Sequence, residues 1–188
     1  MPESARSEAK REDRSEQQQL LVKAATKAPL TPGPYRCASK PGTFITMFPV
    51  AGIRDKLRSF SKYGSVEETI ESGTATIGGY TFGIQCKLRK DDADVVSAFF
   101  VLFLSSGEWD DYLDWPFAKE LTVILAHTED QEKDIRLPLC FDDDCDFVKK
   151  PAPDCCNRGH QSKPVSLEEI ESRGLICNNT LYVNVELE

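Results

Sequence analysis

The chain is poor in several things that particular functions require. It has only two histidines, His127 and His160, in 188 residues, which leaves few places for an imidazole metal centre or a Cys–His nucleophile pair. Its longest apolar run, around Ala98–Leu104, falls far short of the ~20 residues that a spanning helix needs. Met1–Leu20 is polar and charged, without the apolar core of a secretory signal. Basic residues are outnumbered, 23 Lys and Arg against 31 Asp and Glu, for a net charge of −8. The imbalance is uneven. Residues 1–40 hold 8 basic and 5 acidic side chains, whereas residues 41–188 hold 15 and 26. An acidic body lacks the clustered Lys and Arg that grip a phosphate backbone, so a nucleic-acid partner is not expected. Acidic surface of this kind also serves plain solubility.

Cysteine is present, but not as a framework. The seven thiols, Cys37, Cys86, Cys140, Cys145, Cys155, Cys156 and Cys177, are odd in number and irregular in spacing, which suits a reducing, cytoplasmic setting better than a disulfide scaffold. Cys140-x4-Cys145 followed by Cys155-Cys156-x3-His160 does not repeat the paired spacing of structural zinc sites. Asp142–Asp144 resembles the start of a calcium loop, but the Gly and distal Glu that complete one are missing. No Gly-rich phosphate loop is present. With no catalytic motif, no metal site and no cofactor expected, the reading is of a binding protein and not an enzyme.

What remains is a change of texture near Pro41. Residues 1–28 are rich in Ser, Glu, Arg and Gln, a composition that buries too little apolar area to fold alone. Gln17–Ala28 could form a short helix, with Leu20, Leu21 and Ala24 on one side, and Pro29, Pro32, Pro34 and Pro41 then read as a linker. Residues 1–40 are therefore expected as a disordered or linker segment and residues 41–188 as one domain. From Gly42 on, short β runs alternate with turns: Thr43–Val50, Thr74–Ile77, Tyr80–Leu88, Val95–Leu104, Glu120–His127, Asp134–Leu139 and Leu181–Leu187. Gly78-Gly79 marks a tight hairpin, and Ser166 three residues before Glu169 fits a capping box. Leu181, Val183, Val185 and Leu187 fall on one face of the last strand. About seven to eight strands with almost no helix predict an all-β fold, an antiparallel β-sandwich.

The order of these pieces carries a resemblance. Gly42-Thr43-Phe44-Ile45, Gly79-Tyr80 and Val96-Ser97-Ala98-Phe99-Phe100-Val101 are followed by Trp115-Pro116-Phe117, which leads into Leu121-Thr122-Val123-Ile124-Leu125. Pro164-Val165-Ser166-Leu167-Glu168 and Asn179-Thr180-Leu181-Tyr182-Val183 close the series. The stretch Gly42–Glu188 resembles a MATH domain of the TRAF C-terminal type, and Trp-Pro-Phe before an alternating strand is its most specific element. The resemblance implies a core containing Phe44, Tyr80, Phe99, Phe100, Trp115 and Phe117. It implies a signalling adaptor or scaffold that binds receptor tails or adaptor peptides, extended along a sheet-edge groove, in TNF receptor signalling, with a weak homotrimer as the assembly. The alternative it offers is the substrate-recognition module of a ubiquitin-ligase complex whose other parts lie on other chains.

The family's groove residues transfer imperfectly. The Arg and Tyr that help hold an acidic peptide residue fall on Gln85 and Lys87, and the Asp of the next loop on Asp91. Lys87 is a flexible point charge and not a planar fork. A run of serine hydroxyls falls on Asp144, Cys145 and Asp146. Ionised carboxylates donate no hydrogen bond, so the usual acidic peptide loses partners. Asp142, Asp143, Asp144 and Asp146 predict instead either a basic peptide or a solvated loop.

Overall fold

A computed structural model describes residues 34–63, 66–142 and 145–188. The expected helix at Gln17–Ala28 lies outside them. Two antiparallel sheets face each other. One has the order β1 (Phe44–Ala51), β10 (Thr180–Leu187), β5 (Leu121–Ala126), β6 (Ile135–Leu139), with the two-residue β9 (Ile176–Cys177) beside β10. The other runs β2 (Glu67–Ile77), β3 (Tyr80–Lys90), β4 (Val96–Ser105), β7 (His160–Gln161), with β8 (Val165–Ser166) also on β4. This is the antiparallel sandwich that the strand pattern predicts.

Alternation builds the core. On β10, Leu181, Val183, Val185 and Leu187 are all buried against the second sheet, together with Leu121, Val123 and Leu125 of β5. The facing layer is Tyr80, Phe82, Ile84, Cys86 and Leu88 of β3 with Ala98, Phe100, Leu102 and Leu104 of β4. Gly78 and Gly79 join β2 to β3 with φ of 58° and 91°, the pair of positive values that a two-residue hairpin of this twist demands.

Aromatic rings finish one end of the core. Phe117 packs edge-on against Tyr80 at 4.9 Å and Phe82 at 5.8 Å, and Tyr80 meets Trp115 at 5.3 Å. Trp115 is half-buried at the rim, with its indole N–H donating to the Asp110 carbonyl at 2.9 Å. Two aromatic residues assigned to the core stand elsewhere. Phe44 is 55 % exposed. It shares the inward side of β1 with Phe48 and Val50 but opens the strand, beyond the sandwich, where its ring overhangs Gly78. Phe99 is half-buried and faces outward, because the alternation of β4 sends Ala98 and Phe100 inward.

Three features depart from the sequence reading. A helix, α1 (Ile53–Tyr63), follows β1. Ile53 and Phe60 are buried and Leu57 packs on the core, one face of a 3.6-residue period. Its first turn is capped from a distance: the Asn179 side-chain oxygen accepts from the Arg54 N–H at 2.7 Å, and the Asn179 amide donates to Asp55. Second, β2 begins at Glu67, seven residues before the expected start, with a register shift between Glu71 and Thr74. The capping residue Ser166 does accept from the Glu169 N–H, opening α2 (Leu167–Ser172).

The third feature is the segment ahead of Pro41, which is tied to the outer face of the first sheet. The Arg36 guanidinium meets both oxygens of Asp134 at 2.6 and 2.7 Å and also reaches the His127 carbonyl. The Arg36 N–H donates to Asn184 at 3.3 Å, and the Asn184 amide donates back to the Pro34 carbonyl. Ser39 donates through both its N–H and its hydroxyl to Glu186. Asn184 and Glu186 point away from the core yet are 1 % exposed. Buried polar groups need such partners, and residues 34–40 supply them.

Candidate functional site

The outer face of the second sheet is built from the odd-numbered residues of β3 and β4. Gln85 pairs in register with Glu71 on β2 and Val101 on β4, and Lys87 with Thr69 and Phe99. Along β4 the outward side chains Phe99, Val101 and Phe103 are only half-buried, so an apolar stripe runs down a face that no other sheet covers among the described residues. Gly83 makes room for it. A Cβ there would lie 2.2 Å from the Phe103 ring.

Beyond β4 lies β7, where Gln161 pairs with Val101 and His160 with Leu102. No strand pairs with the far side of β7 among the described residues. Gly159 rests against the stripe, since a Cβ there would lie 2.5 Å from Val101 Cγ1. The His160 ring meets Phe141 edge-on at 5.7 Å and Phe147 at a tilt at 5.9 Å. A hollow of about 340 Å³ opens at this edge, lined by Cys145, Asp146, Phe147, Arg158, Gly159 and His160. The site thus has a backbone edge able to accept another strand, an apolar stripe and a side-chain hollow.

The predicted site residues divide into two groups. Gln85 and Lys87 stand on β3, and Cys145 and Asp146 stand at the hollow, with β4 and β7 between. Strands are spaced ~4.8 Å apart, so the two groups stand on either side of the β4 stripe and do not form one cluster. Asp144, like Asp143, lies outside the described residues. Asp91 is committed to its turn, where Oδ1 accepts from the N–H groups of Ala93 and Val95, each at 2.9 Å.

Charge on this face is largely matched within the chain. Lys87 reaches Glu67 at 3.3 Å and Arg89 reaches it at 2.8 Å. The Arg89 hydrogen bond, helped by Lys87, holds the Glu67 carboxyl below its usual range. Arg89 also lies 5.1 Å above the Phe99 ring. At the hollow, Lys149 bonds Asp146 at 2.7 Å and, with Arg158 nearby, keeps that carboxyl low. Phe99, Val101, Phe103, Arg158 and His160 are the residues that sequence reasoning left out of the site. The three stripe residues left a signal: Val96–Ser105 is apolar on both faces, although among the described residues only one face meets the core.

These features can be set beside known proteins. Among solved structures, TRAF5 of Notothenia coriiceps is similar, with a TM-score of 0.57 at 16 % identity, over 98 % of this chain and 92 % of that one. At that identity the likeness speaks for the fold. No curated protein sequence matches the chain. The family model of the TRAF/meprin MATH domain matches residues 73–184. That span runs from the end of β2 through the apolar stripe and the β7 edge into β10, and by it the chain belongs to the TRAF/meprin MATH domain family, whose members are protein-interaction modules.

Proposed function

We propose that the chain is a cytoplasmic signalling adaptor or scaffold domain that binds an extended peptide, such as a receptor tail or adaptor segment, along the β7 edge. The observation that carries this is the Phe99–Val101–Phe103 stripe beside an unpaired strand edge and the Cys145–His160 hollow. Strand addition would supply backbone hydrogen bonds, while the stripe and hollow would select side chains.

The ligand differs from the acidic peptides usual in the family. Gln85 offers no guanidinium fork, Lys87 already shares Glu67, and Cys145 and Asp146 offer no hydroxyl donor. Leaving two buried polar groups of a ligand unmatched costs about 1–3 kcal/mol each, on the order of a hundredfold in affinity. A basic or neutral peptide is preferred, its charge met by Asp142 and by what Lys149 leaves of Asp146. Titration calorimetry tests this with a Pro-x-Gln-x-Glu peptide and a basic counterpart at two salt concentrations. The expected result is negligible heat from the acidic peptide and salt-sensitive binding of the other. Tight acidic-peptide binding to the unaltered chain would overturn it.

A further inference from the structure

A second concavity lies at the far end of the same face. A cleft of about 890 Å³ forms between the β2–β3 hairpin, the loop after β4 and the segment around Pro151–Asp154. Its wall is acidic, with Glu108, Asp110, Asp111 and Asp154 against Lys150. Lys150 is bound to Asp111 at 2.5 Å. Glu108, Asp110 and Asp154 make no ion pair with any Lys, Arg or His among the described residues.

Asp110 is the decisive member. It is only 7 % exposed. Oδ2 accepts from the Gly107 N–H at 2.9 Å, but Oδ1 is shut off from solvent with no hydrogen-bond partner. A buried carboxylate oxygen without a partner is costly, and one set in the wall of a cleft marks where a donor belongs. Gly107 lies over it without a side chain: a Cβ there would stand 3.5 Å from that oxygen and 2.4 Å from Thr81 Oγ1. Beside the carboxylates, Trp109 is 56 % exposed and Tyr112 is 81 % exposed, their rings 6.2 Å apart.

The cation that fits is not a metal ion. Among the described residues, no three His, Cys, Asp or Glu side chains converge closely enough to ligate one. Dispersed carboxylates beside an exposed indole suit a flat, delocalised charge with several N–H donors. Guanidinium has that form, and it lies flat on aromatic faces more often than a compact ammonium does. We propose that this cleft is a docking site for an arginine side chain of a partner protein, held between the Trp109 ring and the carboxylates of Glu108, Asp110 and Asp154. It does not depend on the β7 groove. Thr81 lies four residues before Gln85 on the outer face of β3, about 13 Å away at ~3.3 Å per residue, so a single extended segment could reach both.

The test is amide and indole shift mapping on the full ¹⁵N-labelled chain. The probes are three short Gly-flanked peptides that differ at one position: arginine, lysine and citrulline, the neutral isostere of arginine. The arginine peptide should shift the Gly107 amide and the Trp109 indole N–H, bind severalfold tighter than the lysine peptide, and weaken as salt rises. The citrulline peptide should leave both signals in place. Asp110→Asn should weaken arginine binding at least tenfold. Glu108→Gln with Asp154→Asn, both on exposed side chains, should do the same if Asp110→Asn fails to fold. Equal binding of arginine and citrulline peptides, or affinity untouched in the variants, would overturn the site. So would shifts confined to Val101 and His160, which would support the β7 groove while removing this cleft.

Discussion

Asp134 is the most informative residue to remove. Its carboxylate joins three parts of the chain: Arg36 from the segment ahead of β1, the His127 N–H after β5 at 2.8 Å, and the turn into β6. The two charged side chains are 7 % and 9 % exposed. Asp134→Ala leaves a guanidinium and a backbone N–H at a site that excludes water. Breaking a buried pair by deleting one partner costs about 3–5 kcal/mol. The lower end applies here, because Arg36 keeps carbonyl acceptors at His127 and Tyr35. For a chain of this size, ~3 kcal/mol is a fall of roughly 6–12 °C in Tm. Arg36→Ala should cost about as much, and the double variant much less than the sum, since the partners share one interaction. Urea unfolding of all four proteins gives the cycle. The effect should persist in moderate salt, which screens exposed pairs but not this one. If Asp134→Ala and Arg36→Ala each change stability by less than ~0.5 kcal/mol, the range of an ordinary surface substitution, then residues 34–40 are not held against the sheet as described.

Further outcomes follow from other sites. Cys86 is fully buried and its thiol is pushed up to about 12 by desolvation, so native-state alkylation followed by peptide mass spectrometry should modify Cys37, Cys140, Cys155 and Cys156 first and reach Cys86 only on unfolding. Trp115→Ala should cost toward the low end of the roughly 3–5 kcal/mol typical of a buried aromatic, because the ring is half-buried; an unchanged thermal melt would show that its contacts with Tyr80 and Asp110 contribute nothing. Glu67 titrates below its ordinary 4.5 because Arg89 holds the ionised form. Its stabilisation is therefore present above that pH and lost as pH falls through the folded value. Comparing Glu67→Gln with the unaltered chain in urea should show a deficit under ~1 kcal/mol near pH 7, given the exposure of the group, that shrinks as the solution is acidified below the ordinary carboxylate range.

The strands that read clearly in the sequence are those whose inward positions are all apolar. Leu181, Val183, Val185 and Leu187 recur at every second residue of β10, as do Leu121, Val123 and Leu125 on β5, and the Gly78-Gly79 turn fixes how β2 meets β3. The first half of β2 was illegible because Glu67–Ser72 is a polar edge, which signals solvent more than strand. Helix α1 carried its pattern in Ile53, Leu57 and Phe60, but its cap comes from Asn179, 125 residues away. The role of residues 34–40 was hidden for a related reason. Nothing local says that Arg36 will find Asp134, or that Asn184 and Glu186 on an otherwise apolar strand need cover. At the groove, the resemblance led to Gln85, Lys87 and Cys145, whereas Phe99 was assigned inward. Period-two counting from Phe100 places it outward, and a strand apolar on both faces was the cue to the half-buried stripe on the outer face.

Docking of an extended peptide on the β4 stripe at the β7 edge can be read by backbone amide shift mapping with a peptide selected on this chain from a random display library. Perturbation centred on Lys87, Phe99, Val101, Gly159 and Gln161, abolished by Val101→Glu in a chain that still melts cooperatively, is the predicted result. Perturbation centred on the outer face of the first sheet, around Thr122 and Arg136, with Val101→Glu binding undiminished, would contradict it.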